Sequence, residues 1–426
     1  MKHHFLLILT LIVLGNTAAV AQDYKFDFTP GKKAKEGYIK IEAGNRYNQE
    51  TNYGYDFLPS PDGKENKSFF FSVTVPDGNY HITAVVGSKK KAAETTIRGE
   101  SRRLFYNNIK TKKGEYKSCS FVINKRNPQI SEKERVKLKK REESKLNWDN
   151  KLTIEINGDE PQLAELIIER TESVPTLFLC GNSTVVDQDN EPWASWGQMI
   201  TCFLNDKVCV ANYAESGESA NTFIGAGRLK KALSQMKEGD YLFVEFGHND
   251  QKQTGPGKGA YYSFAYSIKQ YIDEARAKGA HPVLVTPTRR RHFDIDHRTI
   301  LDTHGDFPKA VREIAARENV PLIDLQELTK ALYEALGEEE SKKAFVHYPA
   351  GTFRGQTNEL ADNTHFNTFG AYEVAKCVIE GIRKAIPELT PYIKEGPVFN
   401  PAHPDNPAEF HWNLSPFSEI EKPDGN

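Results

Sequence analysis

The feature that most constrains this chain is a change of rhythm near residue 174. From there on, five short apolar runs at 176–180, 208–212, 241–246, 282–286 and 320–324 are interleaved with longer amphipathic stretches at 227–236, 261–278, 308–318 and 369–386. The runs are too short for buried helices, and they carry no polar alternation. Apolar strands separated by amphipathic helices predict a mainly parallel sheet covered on both faces, a three-layer α/β/α (flavodoxin-like) domain. Sheets of this kind gather their sites at the carboxyl ends of the strands.

The stretch 22–172 has a different period. Alternating runs at 38–41, 68–75, 80–86, 120–123 and 152–156 are separated by turn signals such as Pro76-Asp77-Gly78-Asn79 and Asn157-Gly158-Asp159. Alternation with frequent turns predicts a β-sandwich, and the domain resembles the galactose-binding-like kind. Within it, 132–145 is densely charged and reads as a solvated excursion rather than a ligand site. Residues 391–426 are rich in Pro and Asn and read as a tail on the surface. A length of 426 residues suits two domains. The boundaries expected are therefore 22–172 and 173–390, with the tail beyond.

The first 21 residues stand apart. Lys2, His3 and His4 precede a short apolar run at 5–14, and Ala19-Val20-Ala21 is a small-residue cleavage signal. The run is too short to span a bilayer, so a cleaved secretory signal and an exported protein without a membrane span are expected. Acidic and basic groups nearly cancel, 58 against 56, which speaks against a nucleic-acid partner. Five cysteines form no CxxC pair and no framework. The pairing state of Cys202 and Cys209 stays open.

Polar, glycine-bearing turns follow the first three apolar runs: Gly181-Asn182-Ser183-Thr184, then 212–219 with Gly217, then Gly247-His248-Asn249-Asp250. Asp362-Asn363-Thr364-His365 stands just before the last helix. One sheet edge thus collects a hydroxyl, a glycine amide, a side-chain amide, a carboxylate and an imidazole. A serine hydroxyl is a weak nucleophile that needs a base; a histidine serves, and a carboxylate fixes its tautomer. The chain has no Gly-x-Ser-x-Gly elbow, which disfavours an α/β-hydrolase.

These four blocks, in this order, resemble those of the SGNH/GDSL hydrolases, and more closely the rhamnogalacturonan acetylesterase-like carbohydrate esterases. Trp193-Ala194-Ser195-Trp196-Gly197-Gln198, Thr286-Pro287-Thr288-Arg289-Arg290 and 362–370 add to the likeness. The resemblance implies a serine esterase with Ser183, Asp362 and His365 as its triad. It also implies an oxyanion hole from the Ser183 and Gly217 amides and the Asn249 side chain, and no cofactor. The implied substrate is an acetylated pectic polysaccharide or oligosaccharide. Asn182 departs from the family's usual Asp, and its expected role is to shape the turn.

Around this set several readings stay open. His248 either shapes the pocket or holds a loop. Arg290, in the basic run 289–292, either meets a substrate carboxylate or lies on a solvated loop. Trp193 and Trp196 read as core before they read as sugar platforms. His292, Asp294, Asp296, His297 and His304 match no standard metal spacing, so no metal site is expected. Other glycans, methyl esters of galacturonate, lipid esters and an inactive glycan-binding protein remain rival readings.

Overall fold

The computed structural model describes residues 23–57, 68–353, 355–416 and 422–424; the expected signal segment lies outside them. The strands of the first half are β1 (Tyr24–Asp27), β2 (Ile39–Lys40), β3 (Tyr53–Asp56), β4 (Phe69–Thr74), β5 (Gly78–Gly87), β6 (Ala93–Gly99), β7 (Arg103–Thr111), β8 (Tyr116–Lys125), β9 (Gln129–Ser131), β10 (Glu134–Arg135), β11 (Lys151–Glu160) and β12 (Leu163–Thr171). The second half adds β13 (Thr176–Gly181), β14 (Cys209–Asn212), β15 (Tyr241–Glu245), β16 (His281–Val285), β17 (Leu322–Ile323), β18 (Phe345–Tyr348) and β19 (Leu360–Phe366).

In the first half, one layer runs β3-β4-β11-β6-β7 and the other β8-β5-β12-β1-β2. Alternation supplies the core between them. Tyr80, Ile82, Ala84 and Val86 of β5 point inward to meet Phe69, Phe71 and Val73 of β4 and Leu152, Ile154 and Ile156 of β11 in one cluster. Sequence alternation missed β1, β3, β6, β7 and β12, whose polar or mixed composition hides the period.

In the second half, the parallel order is β17-β16-β15-β13-β14, so the chain starts in the middle and reverses direction once. Successive residues feed opposite faces. Leu177, Leu179, Phe243, Val283 and Val285 pack under the helix Thr368–Ala385, while Phe178, Cys180, Leu242, Val244 and Leu284 pack under Arg228–Gln235, Ala265–Ala277 and Phe307–Glu318. This is why the runs lack polar alternation: both faces are dry. The crevice beside β13, between β14 and β15, is the topological switch point of such a sheet.

The two halves share a sheet. Val210 of β14 pairs in parallel with Ile123 of β8, which joins both sets into ten strands. No helix among the described residues is long and apolar enough to cross a membrane. All five cysteines, Cys202 and Cys209 included, are free thiols. The tail is more than a surface strap: Ser415 is buried, and Trp412 covers the Arg98 guanidinium at 4.0 Å while donating to Glu191.

Candidate active site

Ser183 sits just past the end of β13 and is almost fully buried. The turn that presents it is built on Asn182, whose Oδ1 accepts from the Thr184 amide at 3.1 Å and the Thr184 hydroxyl at 3.0 Å. That hydroxyl also donates to Glu245 at 2.7 Å, and Trp196 Nε1 donates to the other Glu245 oxygen. Glu245 ends β15 beneath the turn, and burial pushes its carboxyl up to about 7 against the pull of these two bonds. Trp193 and Trp196 are both buried, and Trp196 joins the apolar cluster under the helix Thr368–Ala385.

Asp362 and His365 lie in β19, where a regular strand would turn residues three apart to opposite faces. The register between β18 and β19 slips between Phe345 and Val346, which pair with Phe366 and Asp362, and the intervening residues bulge. The bulge brings both side chains to one side. His365 Nε2 lies 2.9 Å from Ser183 Oγ, and His365 Nδ1 lies 2.8 Å from Asp362 Oδ2. The other Asp362 oxygen accepts the Thr364 and His365 amides at 2.8 and 3.0 Å. Burial opposes the Asp362 charge, but the His365 ring and these amides more than offset it and hold the carboxyl well below its usual range. A hydroxyl, an imidazole and an ionised carboxylate in this line can activate an oxygen nucleophile.

Gly217 adopts φ +79°, a left-handed conformation that glycine reaches without strain. Asn249 Nδ2 donates to the Glu218 carbonyl at 3.0 Å, which ties the third turn to the second. Asp250 strengthens the tie by accepting the Ala220 and Gly247 amides at 2.8 and 2.9 Å. Burial lifts its carboxyl to about 6, against those bonds.

His248 is buried, and neither ring nitrogen has a partner among the described residues; its ring stands edge-on to His304 at 4.5 Å. A loop-holding bond from this side chain is therefore not seen. Burial, then the neighbouring charges of His304, Arg290 and His365, hold His248 well below its usual range, and burial takes His304 down to about 3. Both rings are neutral at neutral pH. Arg290 donates to Thr303 and to the His248 carbonyl, and no ion pair with a carboxylate is seen for it among the described residues. His297 meets Glu338 rather than the other four residues weighed as metal ligands.

One expectation is corrected here. The charged stretch 132–145 is not simply a solvated excursion. Glu142 and Lys145 are buried, and Lys139, Arg141 and Lys145 reach the loop that carries Gly217. Charge density in sequence gives no sign of partners some seventy residues away.

The GDSL-like Lipase/Acylhydrolase family matches residues 179–371. Rhamnogalacturonan acetylesterase RhgT of Bacillus subtilis is 44% identical over 210 residues, covering 49% of this chain and 89% of RhgT. The chain belongs to the GDSL-like lipase/acylhydrolase family. It is a carboxylic ester hydrolase. The probable rhamnogalacturonan acetylesterase YesY of Bacillus subtilis is 36% identical over 223 residues, 51% of this chain and 98% of YesY. The uncharacterized esterase YxiM of the same organism is 24% identical over 396 residues, 86% of this chain and 92% of YxiM.

Proposed function

We propose that this ester hydrolase removes O-acetyl groups from a pectic polysaccharide, rhamnogalacturonan or its oligosaccharides, after export from the cytoplasm. The observation that carries the reading is the buried, hydrogen-bonded line from Ser183 through His365 to Asp362 at the carboxyl edge of the parallel sheet. Ser183 Oγ attacks the acetyl carbonyl as His365 Nε2 takes its proton. Asp362 holds the other ring N–H and stabilises the imidazolium. The amides of Ser183 and Gly217 and Asn249 Nδ2 receive the oxyanion. His365 then gives its proton to the departing sugar alcohol, and water frees the acyl-enzyme by the same steps.

The relatives named as rhamnogalacturonan acetylesterases support the choice of substrate. So does the charge beside Asn249. Lys252 donates to Asn249 Oδ1 at 3.3 Å, and its ammonium is held below its usual range by burial and then by the nearby cations Arg290 and Lys422. Three neighbouring cations suit a chain of uronic acids, with Arg290 able to meet a carboxylate and the uncharged His248 beside it. The signal-like sequence at 1–21 supports export, since such polymers lie outside the cell membrane.

The test is product release from acetylated rhamnogalacturonan, with acetylated xylan and methyl-esterified pectin in parallel. Acetate chiefly from the pectic backbone is expected. Methanol instead would move the scissile bond to the galacturonate methyl ester, and no product from any of the three would sink the substrate assignment.

A further inference from the structure

Gly217 has no side chain with which to hold its own amide in place. The peptide between Ser216 and Gly217 is trans and planar, so the Ser216 carbonyl and the Gly217 N–H point in opposite directions. Whatever fastens the carbonyl aims the amide. Two cations fasten it: Lys139 Nζ donates to Ser216 O, and Arg141 Nη2 donates to the same oxygen at 3.2 Å. Arg141 also donates to Glu215, whose Oε1 accepts the Ser216 amide at 2.9 Å. Lys145 bridges the other Glu215 oxygen at 3.3 Å to Asp189 at 2.7 Å. Burial works against the Glu215 charge, yet Lys145, Arg141 and Arg228 hold its carboxyl well below the usual range.

The stretch that supplies these cations is itself anchored. Glu142 accepts the Lys139 amide at 2.8 Å and pairs with Arg228, with both side chains of that pair fully buried. Lys137 donates to the Ala226 carbonyl at 2.9 Å, and Val136 and Leu138 join the apolar cluster under Arg228–Gln235. The remaining charges facing the two cations are Glu218, 3.5 Å from Lys139, and Asp424, 3.4 Å from Lys139 and 3.1 Å from Arg141.

We propose that Lys139 and Arg141 are positioning residues for the oxyanion hole, so that a segment before the family-matched residues 179–371 sets the aim and strength of the Gly217 donor. A hydrogen bond from a cation to a peptide carbonyl polarises that peptide and strengthens its N–H as a donor. It also opposes a peptide flip, which a glycine in the left-handed region permits and which would turn the Ser216 carbonyl toward the developing negative charge. The inference rests on the proposed role of Gly217.

The test uses the full-length chain and an aryl acetate, a substrate too small to need glycan contacts. Lys139→Met, Arg141→Gln, the double variant and Arg141→Lys are compared, with active sites titrated by a phosphonate that labels Ser183. The double variant is expected to lose about ten- to a hundredfold in kcat per titrated site, less than the loss of a whole donor, with KM little changed. Phosphonylation, which passes through a similar oxyanion, slows in parallel, and Arg141→Lys recovers much of the loss. A merely structural role would lower the melting temperature and the titrated fraction but leave kcat per site intact. That result in the double variant, or in the single ones should the double not fold, overturns the proposal. Ser183→Ala and Asn249→Ala serve as references: if they too retain activity, it is the active-site reading that fails.

Discussion

Ser183 and the glycine loop arrive at the same sheet edge by different means. Ser183, His365 and Asp362 are held by one another and by neighbours within residues 179–371, including Thr184, Glu245 and Trp196. The 215–218 loop has a tie within that span, from Asn249 to the Glu218 carbonyl, but its Ser216 carbonyl and Glu215 carboxylate are gripped from outside it, by Lys139, Arg141 and Lys145. The first half does reach the Ser183 side as well. Arg103 pairs with Asp187 at 2.9 Å and Arg102 with Glu191 at 2.7 Å, but these grip residues beyond Ser183, not the peptide that presents it. The difference is one of available chemistry. Side chains with directional bonds can orient one another, whereas a glycine amide must be aimed through its peptide.

The largest effect should come from the self-held side. Ser183→Ala is expected to lower acetate release by about 10⁴-fold or more without changing the melting temperature, because nothing else in the line can attack. Retained turnover in that variant would break the triad assignment. Asn249→Ala should cost about 10²- to 10³-fold in kcat. It also removes the donor to Glu218, so comparing its melting curve with that of Arg141→Gln shows which of the two ties holds the loop.

The brace between the halves is probed by Asp187→Ala. The Arg103–Asp187 pair is fully buried, and removing one partner strands the other charge, at about 3–5 kcal/mol. Urea unfolding measures this. A change within error would mean that Arg103 finds its carbonyl partners, Asn124 and Val210, sufficient.

A subtler contrast is in pH. Glu245 has its carboxyl raised to about 7 by burial. A raised acid binds its proton more tightly when folded. Its contribution is therefore complete below about pH 4.5 and lost as pH rises through about 7. Glu245→Gln should flatten that part of the profile, so the urea midpoint of the variant gains on the parent between pH 5 and pH 8. A constant difference would place the titration elsewhere.

The smallest effect is expected at Asn182→Asp. Asn182 Oδ1 is the working atom of the turn, and Nδ2 has no partner among the described residues. The carboxylate keeps the acceptor, so kcat on the aryl acetate should shift by less than about tenfold. A larger loss would show that a second buried acid beside Glu245 is not tolerated, and a larger gain would show that the native turn is impaired.

Much of this was legible in the sequence because it is local. Five apolar runs, the helices between them and the four polar blocks each rest on a few consecutive residues, and a hydrophobic period needs no partner to be read. The polar strands β6 and β7 were not legible, since their burial comes from partners rather than from their own pattern. Nor was the bulge that lets Asp362 and His365 meet, because it depends on where β18 pairs with β19.

By itself, then, the sequence determined the parallel sheet, the order of its blocks and which side chains stand at its edge. The tertiary structure alone decided that both halves share one sheet, and that the charged stretch 132–145 folds against the glycine loop instead of into water. The physical reason is that hydrophobic period is a property of a segment, whereas an ion pair or a hydrogen bond to a carbonyl belongs to two segments that only the fold brings together.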